Sequence, residues 1–391
     1  MNDAALLRPA LRTSCRNIDY CRMNRIRLLA FATQGSGGDD EARIRALLEN
    51  FPVDVFPFDR RKKMRTFLRL LRAIRRSHHD LIVMEGTGVA GGAAVLIGKL
   101  LFGAPYVVSS GDTVAPFVAA QRPGLRPVFA LYERFLYRAA SGFIGWTPYL
   151  TGRAISFGAP HAMTAPGWAP FTATPEDLAR SRVQIRAALG IPVDGLVVGI
   201  VGSLAWTKRA GYSYGLELVQ ALRRSERADA YALIVGDGDG KIRLEQHAGN
   251  DLGRRIILAG RVPREQVPHY LAAMDVASLP QSVDRVGSFR YTTKLSEYLA
   301  AGLPVITGQI PLAYDLDDGW LWRLPGKAPW DERYTEALAK LIDRLTVAEV
   351  ASKRSALPRK APEFSRDRQV ARVTDFFTDL LAERSNVTAA R

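Results

Sequence analysis

What most constrains this chain is an alternation, met twice along its length, of short apolar runs with segments of helical pattern. Ile26–Thr33 is the first run of strand length, followed by the loop Gln34-Gly35-Ser36-Gly37-Gly38 and a helix predicted near Asp40–Asn50. Strands follow at Val53–Phe56, Leu81–Met84 and Tyr106–Ser109, with helices near Arg60–Ser77, Val89–Phe102 and Val128–Ala139. Strand, helix and strand in repeated succession predict a parallel sheet with helices on both faces. The pattern loosens over Ala159–Pro192, where Pro160, Pro166, Pro170, Pro175 and Pro192 cluster. It restarts with strands at Leu196–Val201, Tyr231–Val235, Ile256–Leu258 and Val276–Leu279 and helices near Tyr214–Arg223, Arg264–Ala273 and Arg366–Glu383. The expectation is α/β with two doubly wound domains, 23–160 and 195–350, joined by a linker over 161–194. Residues 1–22 read as an extension, and 351–391 as a tail whose helix returns toward the first domain.

Composition narrows the partners. Of 391 residues, 54 are Lys or Arg and 39 are Asp or Glu, a net charge of +15, which favours anionic ligands or surfaces. Nucleic acid is one such partner, but no zinc spacing, helix-turn-helix or aromatic-basic interleaving accompanies the charge, so no nucleic-acid partner is expected. Cys15 and Cys21 form no metal or redox motif, and a reducing, cytoplasmic location is expected. The first 22 residues lack a continuous apolar core, so no secretory signal is read there, and Met23 looks like a natural beginning. The longest apolar span, Val89–Gly98, is half of the roughly 20 residues that a bilayer crossing needs.

Three motifs carry chemistry. In "LVVGIVGSLAWTK", a buried strand ends at Gly202-Ser203 and a loop delivers Lys208 near the start of the next helix. A cation beside helix N–H groups beyond a parallel strand suits a phosphate, the alternative being a solvated loop lysine. "LIVGDGDGK" ends a strand at Gly236; Asp237 and Asp239 could hold a metal, but two acids in a Gly/Asp cluster are ordinary turn chemistry, and no metal is expected. In "TTKLSEYLAAGLPVI", a helix starting at Thr292 or Thr293 leaves N–H groups and the positive dipole end free. Glu297, one turn in and one step past capping-box spacing, can accept from both hydroxyls of a ribose, or simply pair with Lys294.

"VGSLAWTK", "LIVGDGDG", "IILAGRVPREQVPHYLAAMDVASLP" and "KLSEYLAAGLPVI", in that order and spacing, resemble the C-terminal domain of glycosyltransferase family 4. The resemblance implies the GT-B architecture, two facing Rossmann-like domains with a cleft between them. It implies a retaining transferase that uses a nucleotide-diphosphate sugar and no bound metal or other cofactor. On its terms Lys208 sits on the donor diphosphate, Thr292 and Thr293 line the phosphate-facing helix mouth, and Gly202, Ser203, Gly236 and Lys294 are further donor-binding residues. The backbone at Arg261 and Val262 meets the base, and Glu297 the ribose. Lys208 and Glu297 are the catalytic expectation. The family's usual first Glu, separated from Glu297 by seven intervening residues in its paired motif, is replaced by Phe289, and its usual His after an N-domain strand by Gly111-Asp112. Asp112 is the acceptor-side candidate, with Gly35, Ser36, Gly37, Gly38 and Gly111 lining the acceptor cleft. An epimerase of the same architecture, a dinucleotide-dependent enzyme and a homologue that binds donor without turnover are the rival readings.

One segment stands apart. "RRKKMRTFLRLLRAIRR", Arg60–Arg76, has nine cations and no acid, with Met64, Phe67, Leu68, Leu71 and Ile74 in an apolar stripe expected to pack on the sheet. Arg60, Arg61, Lys62, Lys63, Arg65, Arg69 and Arg72 would then face an anionic membrane, each contributing about 1 kcal/mol. The expectation is a protein on the inner face of the plasma membrane, acting on a glycan or lipid-linked acceptor.

Overall fold

The computed structural model describes residues 26–76, 78–290, 292–357 and 362–389; the extension 1–22, both cysteines and Met23 lie outside these residues. The chain forms two compact units. One runs to Gly167 and resumes at Ser365; the other is Trp168–Phe364.

The first unit has six parallel strands: β1 Leu28–Ala32, β2 Val53–Val55, β3 Leu81–Glu85, β4 Tyr106–Ser110, β5 Gly142–Gly145 and β6 Ala162–Thr164. Their order is β2-β1-β3-β4-β5-β6. β1, β3, β4 and β5 are buried along their whole length, as largely apolar strands covered on both faces must be. β5 and β6 were not expected from the sequence. Helices α1 Asp39–Leu47, α2 Lys63–Arg76, α3 Val89–Phe102, α4 Val114–Gln121, α5 Arg126–Ala139 and α6 Pro148–Ser156 connect them. The step from β1 to β2 runs opposite to the steps from β2 through β5. Right-handed crossovers therefore put α1 on one face and α2, α3 and α5 on the other. The glycines of α3 let this second layer close. A Cβ at Gly98 would lie 2.8 Å from Ile74 of α2, and one at Gly92 1.9 Å from the Tyr132 hydroxyl of α5.

The apolar stripe of α2 divides. Leu70 and Ile74 are buried, together with Thr66, but Met64 is 71% and Leu68 43% exposed. The buried row is Thr66-Leu70-Ile74, at i, i+4 and i+8, with Ile74 against Gly98 of α3, which leaves Met64 and Leu68 outward among the cations.

The second unit is also six parallel strands: β7 Leu196–Val201, β8 Ala230–Val235, β9 Ile256–Gly260, β10 Val276–Leu279, β11 Val305–Gly308 and β12 Leu321–Leu324, in the order β12-β11-β10-β7-β8-β9. Its helices are α7 Pro175–Ala188, α8 Leu216–Arg224, α9 Lys241–Ala248, α10 Val267–Ala272, α11 Thr293–Ala300, α12 Pro311–Asp315, α13 Glu332–Arg344 and α14 Val347–Ser355. α7 falls in the stretch read from sequence as linker. Thr174 caps it by accepting from the Asp177 N–H, and Pro175 opens its first turn, where a missing N–H costs nothing. Fully buried Arg186 fastens it to the Asp275 carboxylate at 2.8 Å and to the Ala273 carbonyl. The helix Arg366–Ala389 packs on α1 in the first unit.

Candidate active site

Counted from β7, the second sheet runs 3-2-1-4-5-6, and the order reverses between β7 and β10. Ligands of open parallel sheets sit beyond the carboxyl ends of the strands beside such a reversal. A cavity of about 490 Å³ opens there, lined by Val201, Gly202 and Ser203 at the end of β7, Val235–Gly238 at the end of β8, Arg261 and Val262 after β9, and Val267 of α10. Its floor exists because two glycines touch: a Cβ on Gly236 would stand 1.8 Å from the Gly202 carbonyl oxygen. Of the donor residues expected from sequence, Gly202, Ser203, Gly236, Arg261 and Val262 line this cavity; Lys208, Thr292, Thr293, Lys294 and Glu297 do not.

Lys294 reaches the cavity edge from the first turn of α11. Thr292 caps that helix, its hydroxyl accepting from the Lys294 N–H at 3.2 Å. The lysine side chain lies over Gly202, with Cε 2.6 Å and Nζ 2.9 Å from where a Cβ would be, and Nζ is 4.6 Å from the Tyr214 ring centroid. A half-buried ammonium held between a ring face and the end of β7 is a fixed positive charge beside the glycine floor. Glu297 is half-buried one turn later, and Thr293 is exposed. Lys208 is placed differently from the expectation. It sits exposed in a hairpin closed by Thr207 and Tyr212, eight residues ahead of α8 rather than at its start.

The carboxylates of the Gly/Asp turn have structural partners. Asp239 accepts from the Trp206 N–H at 2.7 Å and Asp237 from the Gly238 N–H at 2.9 Å, which ties the loop after β8 to the loop after β7. Among the described residues no three His, Cys, Asp or Glu side chains are grouped to hold a metal ion.

Sequence reasoning missed Glu217. It is the second residue of α8 and fully buried, and accepts from the Tyr212 hydroxyl at 2.8 Å, the Gly215 N–H at 3.0 Å and the Ser278 hydroxyl at 3.0 Å. Burial pushes its carboxyl up to about 7, against the pull of these three hydrogen bonds. In the sequence it reads only as an acid in a helix's first turn, where the dipole welcomes it.

The first unit reverses its strand order between β1 and β3, and there the crevice is filled. Arg43 of α1 donates to the Glu85 carboxylate at 2.9 Å and the Ser109 hydroxyl at 3.2 Å, with its guanidinium 4.3 Å from the Trp146 ring centroid. Trp146 Nε1 donates to the other Glu85 oxygen at 3.2 Å. Burial raises the Glu85 carboxyl pKa while Arg43 opposes the rise. The expected acceptor residues frame this plug. Gly35 and Ser36 turn the chain out of β1, Gly37 donates to the Glu41 carboxylate at 3.2 Å, and Gly38 precedes α1. Asp40, in the first turn of α1, has its carboxyl pKa raised by burial, with the nearby charges of Asp39 and Asp112 adding to the rise. Gly111 leaves room for Trp146, whose ring would stand 2.7 Å from a Cβ there, and Asp112 follows it.

These two sheets define the class of the molecule, an α/β protein of GT-B fold. Solved structures with the same fold include Anabaena Alr3699/HepE in complex with UDP-glucose, 16% identical, TM-score 0.66, covering 90% of this chain and all of that one. Sucrose-phosphate synthase from Thermosynechococcus elongatus is likewise 16% identical, with a TM-score of 0.64 over 92% of this chain and all of that one. Residues 195–345 match the family model "Glycosyl transferases group 1", and 21–168 match "Glycosyl transferase 4-like domain". The chain belongs to the group 1 glycosyl transferases. Among curated relatives, a 2-deoxystreptamine glucosyltransferase of Streptomyces kanamyceticus is 28% identical over 31% of this chain and 30% of its own length. The teichuronic acid biosynthesis glycosyltransferase TuaC of Bacillus subtilis is 32% identical over 32% of this chain and 28% of its own. The matched stretch thus spans less than a third of either relative.

Proposed function

We propose that the protein transfers a sugar, with retention of configuration, from a nucleotide-diphosphate sugar to a glycan or lipid-linked acceptor in surface polysaccharide synthesis. The observation that carries this reading is the glycine-floored cavity with the Lys294 ammonium clamped at its edge. The base would lie against Arg261 and Val262, the diphosphate over Gly202, Ser203 and Gly236, and the ribose hydroxyls on Glu297. UDP and UDP-glucose, the ligands bound by Anabaena Alr3699/HepE, belong to this ligand class. An epimerase is not favoured, because both matching family models are of glycosyl transferases.

In the proposed reaction the bond from the anomeric carbon to the leaving phosphate oxygen breaks, and one to the acceptor hydroxyl oxygen forms on the same face. The acceptor proton passes to the departing phosphate. Negative charge grows on the diphosphate, and Lys294, Lys208 and the N–H groups at the start of α11 offset it without a metal. Gly35–Gly38, Gly111 and Asp112 would receive the acceptor, with Asp112 orienting its hydroxyl.

Attachment to an anionic bilayer on the cytoplasmic side completes the reading. Arg60, Arg61, Lys62, Lys63, Arg65, Arg69 and Arg72 are all exposed. Met64 and Leu68 of α2, Leu100 and Leu101 of α3, and Val128, Leu131 and Phe135 of α5 are exposed on the same helical layer. The sole acid of these three helices, Glu133, is fully buried and paired with Arg153. Apolar side chains ringed by cations suit anionic lipid better than a neutral partner. No described helix is long and apolar enough to cross a membrane.

Thermal-shift titration with UDP-, GDP- and ADP-sugars tests the donor reading, since a ligand at a hundredfold excess over Kd stabilises by about 2.7 kcal/mol. One of the three should raise Tm, and Lys294→Ala, Lys208→Ala and Glu297→Ala should each remove most of the rise. No rise with any of them would defeat the reading.

A further inference from the structure

Two segments that carry the proposed diphosphate site lie far apart in sequence: the loop 203–215 after β7, and the first turns of α11. They meet at one buried carboxylate. One oxygen of Glu217 accepts from both the Tyr212 hydroxyl and the Gly215 N–H, which closes the far end of the 203–215 loop. Its other oxygen accepts from the Ser278 hydroxyl of β10, and the Ser278 carbonyl in turn accepts from the Tyr298 hydroxyl of α11 at 3.0 Å. Tyr298 follows Glu297 directly, and Tyr214, between the two loop anchors, is the ring on which the Lys294 ammonium rests. Gly215 adopts φ of +90° and so sets the sharp entry into α8 from which Glu217 reaches inward.

A helix pair packing on a sheet does not need a charge here. Burying a carboxylate is costly unless every lone pair is used, and three donors converge on this one. An apolar residue would fill the space but could not fix Tyr212, Gly215 and Ser278 at the same time. What the carboxylate adds is registry between the loop and α11.

We propose that Glu217 is a positioning residue for the donor, holding the 203–215 loop and the start of α11 at the separation that the diphosphate spans. The inference rests on the donor reading above. It touches the phosphate side of the site only, because the base-side residues Arg261 and Val262 lie after β9, on the opposite flank of β8 from β7.

The test compares nucleoside and nucleoside-diphosphate binding by the full-length protein, using uridine with UDP, guanosine with GDP and adenosine with ADP. For the wild type, one diphosphate should bind at least tenfold tighter than its own nucleoside. Glu217→Ala should weaken that diphosphate about tenfold or more and leave the nucleoside within about twofold. Glu217→Gln keeps an acceptor oxygen for Tyr212 and Gly215 and offers an amide to Ser278, so it should restore most of the lost affinity. The double variant Tyr212→Phe/Ser278→Ala, which keeps the carboxylate and removes two of its donors, should reproduce the alanine effect. Should the wild type bind no diphosphate, the donor reading itself fails. Should it bind one, and Glu217→Ala or the double variant weaken nucleoside and diphosphate equally or neither, the positioning role is overturned. If Glu217→Ala does not fold, the double variant alone decides.

Discussion

The two sheets share a plan and differ in what sits at the point where the strand order reverses. In the first unit that crevice holds Arg43, Glu85 and Trp146, a charged plug with its polar contacts made within the protein. In the second it holds glycine backbone, an open cavity of about 490 Å³ and a lysine at the rim. A doubly wound sheet offers the same place twice, and side-chain volume decides which copy is left open to a ligand. The first unit is left with an acidic helix start, Asp39, Asp40 and Glu41, better matched to hydroxyl groups than to a phosphate.

That contrast can be broken at its strongest point by Arg43→Ala. The variant strands Glu85 as an unpaired buried acid, and urea unfolding should show a loss of about 3–5 kcal/mol. Adding Glu85→Gln to it should recover much of the loss; an unchanged midpoint for Arg43→Ala would mean that the plug is ornamental.

The buried acid of the second unit behaves differently because it has no cation. Glu217 titrates near 7 in the folded chain against an ordinary 4.5, so the folded state holds the extra proton between those values. Stability therefore falls as pH rises through that window and levels off above it, a change on the order of 3 kcal/mol. The groups facing it, Tyr212, Tyr298 and Tyr334, are phenols whose pKa burial raises further, so they stay neutral throughout. Urea midpoints for Glu217→Gln should lack this part of the pH dependence, and curves parallel to wild type from pH 5 to 8 would refute it.

A smaller effect is expected from Lys294→Ala. Losing one charge-assisted contact should weaken nucleoside-diphosphate binding by about 1.5–3 kcal/mol, with little change in the ligand-free Tm. Smallest per residue is the membrane surface. Replacing Arg65, Arg69 and Arg72 by Ser should lower binding to anionic vesicles by about 1 kcal/mol per charge, measured by co-sedimentation at low salt. Leu131→Ser/Phe135→Ser should reduce the binding that survives high salt, and if neither change matters the layer is not a lipid surface.

Much of this architecture was legible. Runs such as Leu196–Val201, Val276–Leu279 and Tyr106–Ser110 are mostly apolar, because a strand covered on both faces admits a polar side chain only where a buried partner meets it, as at Ser278 and Ser109. β5 escaped because its four residues begin and end in glycine, and the reason for Gly142 lies elsewhere in the chain: a Cβ there would stand 2.8 Å from Phe376. α7 was hidden by prolines that read as linker until Pro175 proved to open a helix. At the site, the cavity glycines, Arg261 and Val262 came from the resemblance of their motifs to the family. Arg43 with Glu85, 42 residues apart, and Glu217 with Ser278, 61 apart, did not. A pairing across that distance leaves no local pattern, and only the fold brings its members together.

The helix Arg366–Ala389 completes a unit whose other elements end about 200 residues earlier, at Gly167. It buries Val370, Val373, Phe377 and Leu380. During synthesis the second unit can therefore close while the first still lacks this cover, waiting for the last helix to leave the ribosome. A chain that stops short of Arg366 leaves the apolar side of α1 without this cover.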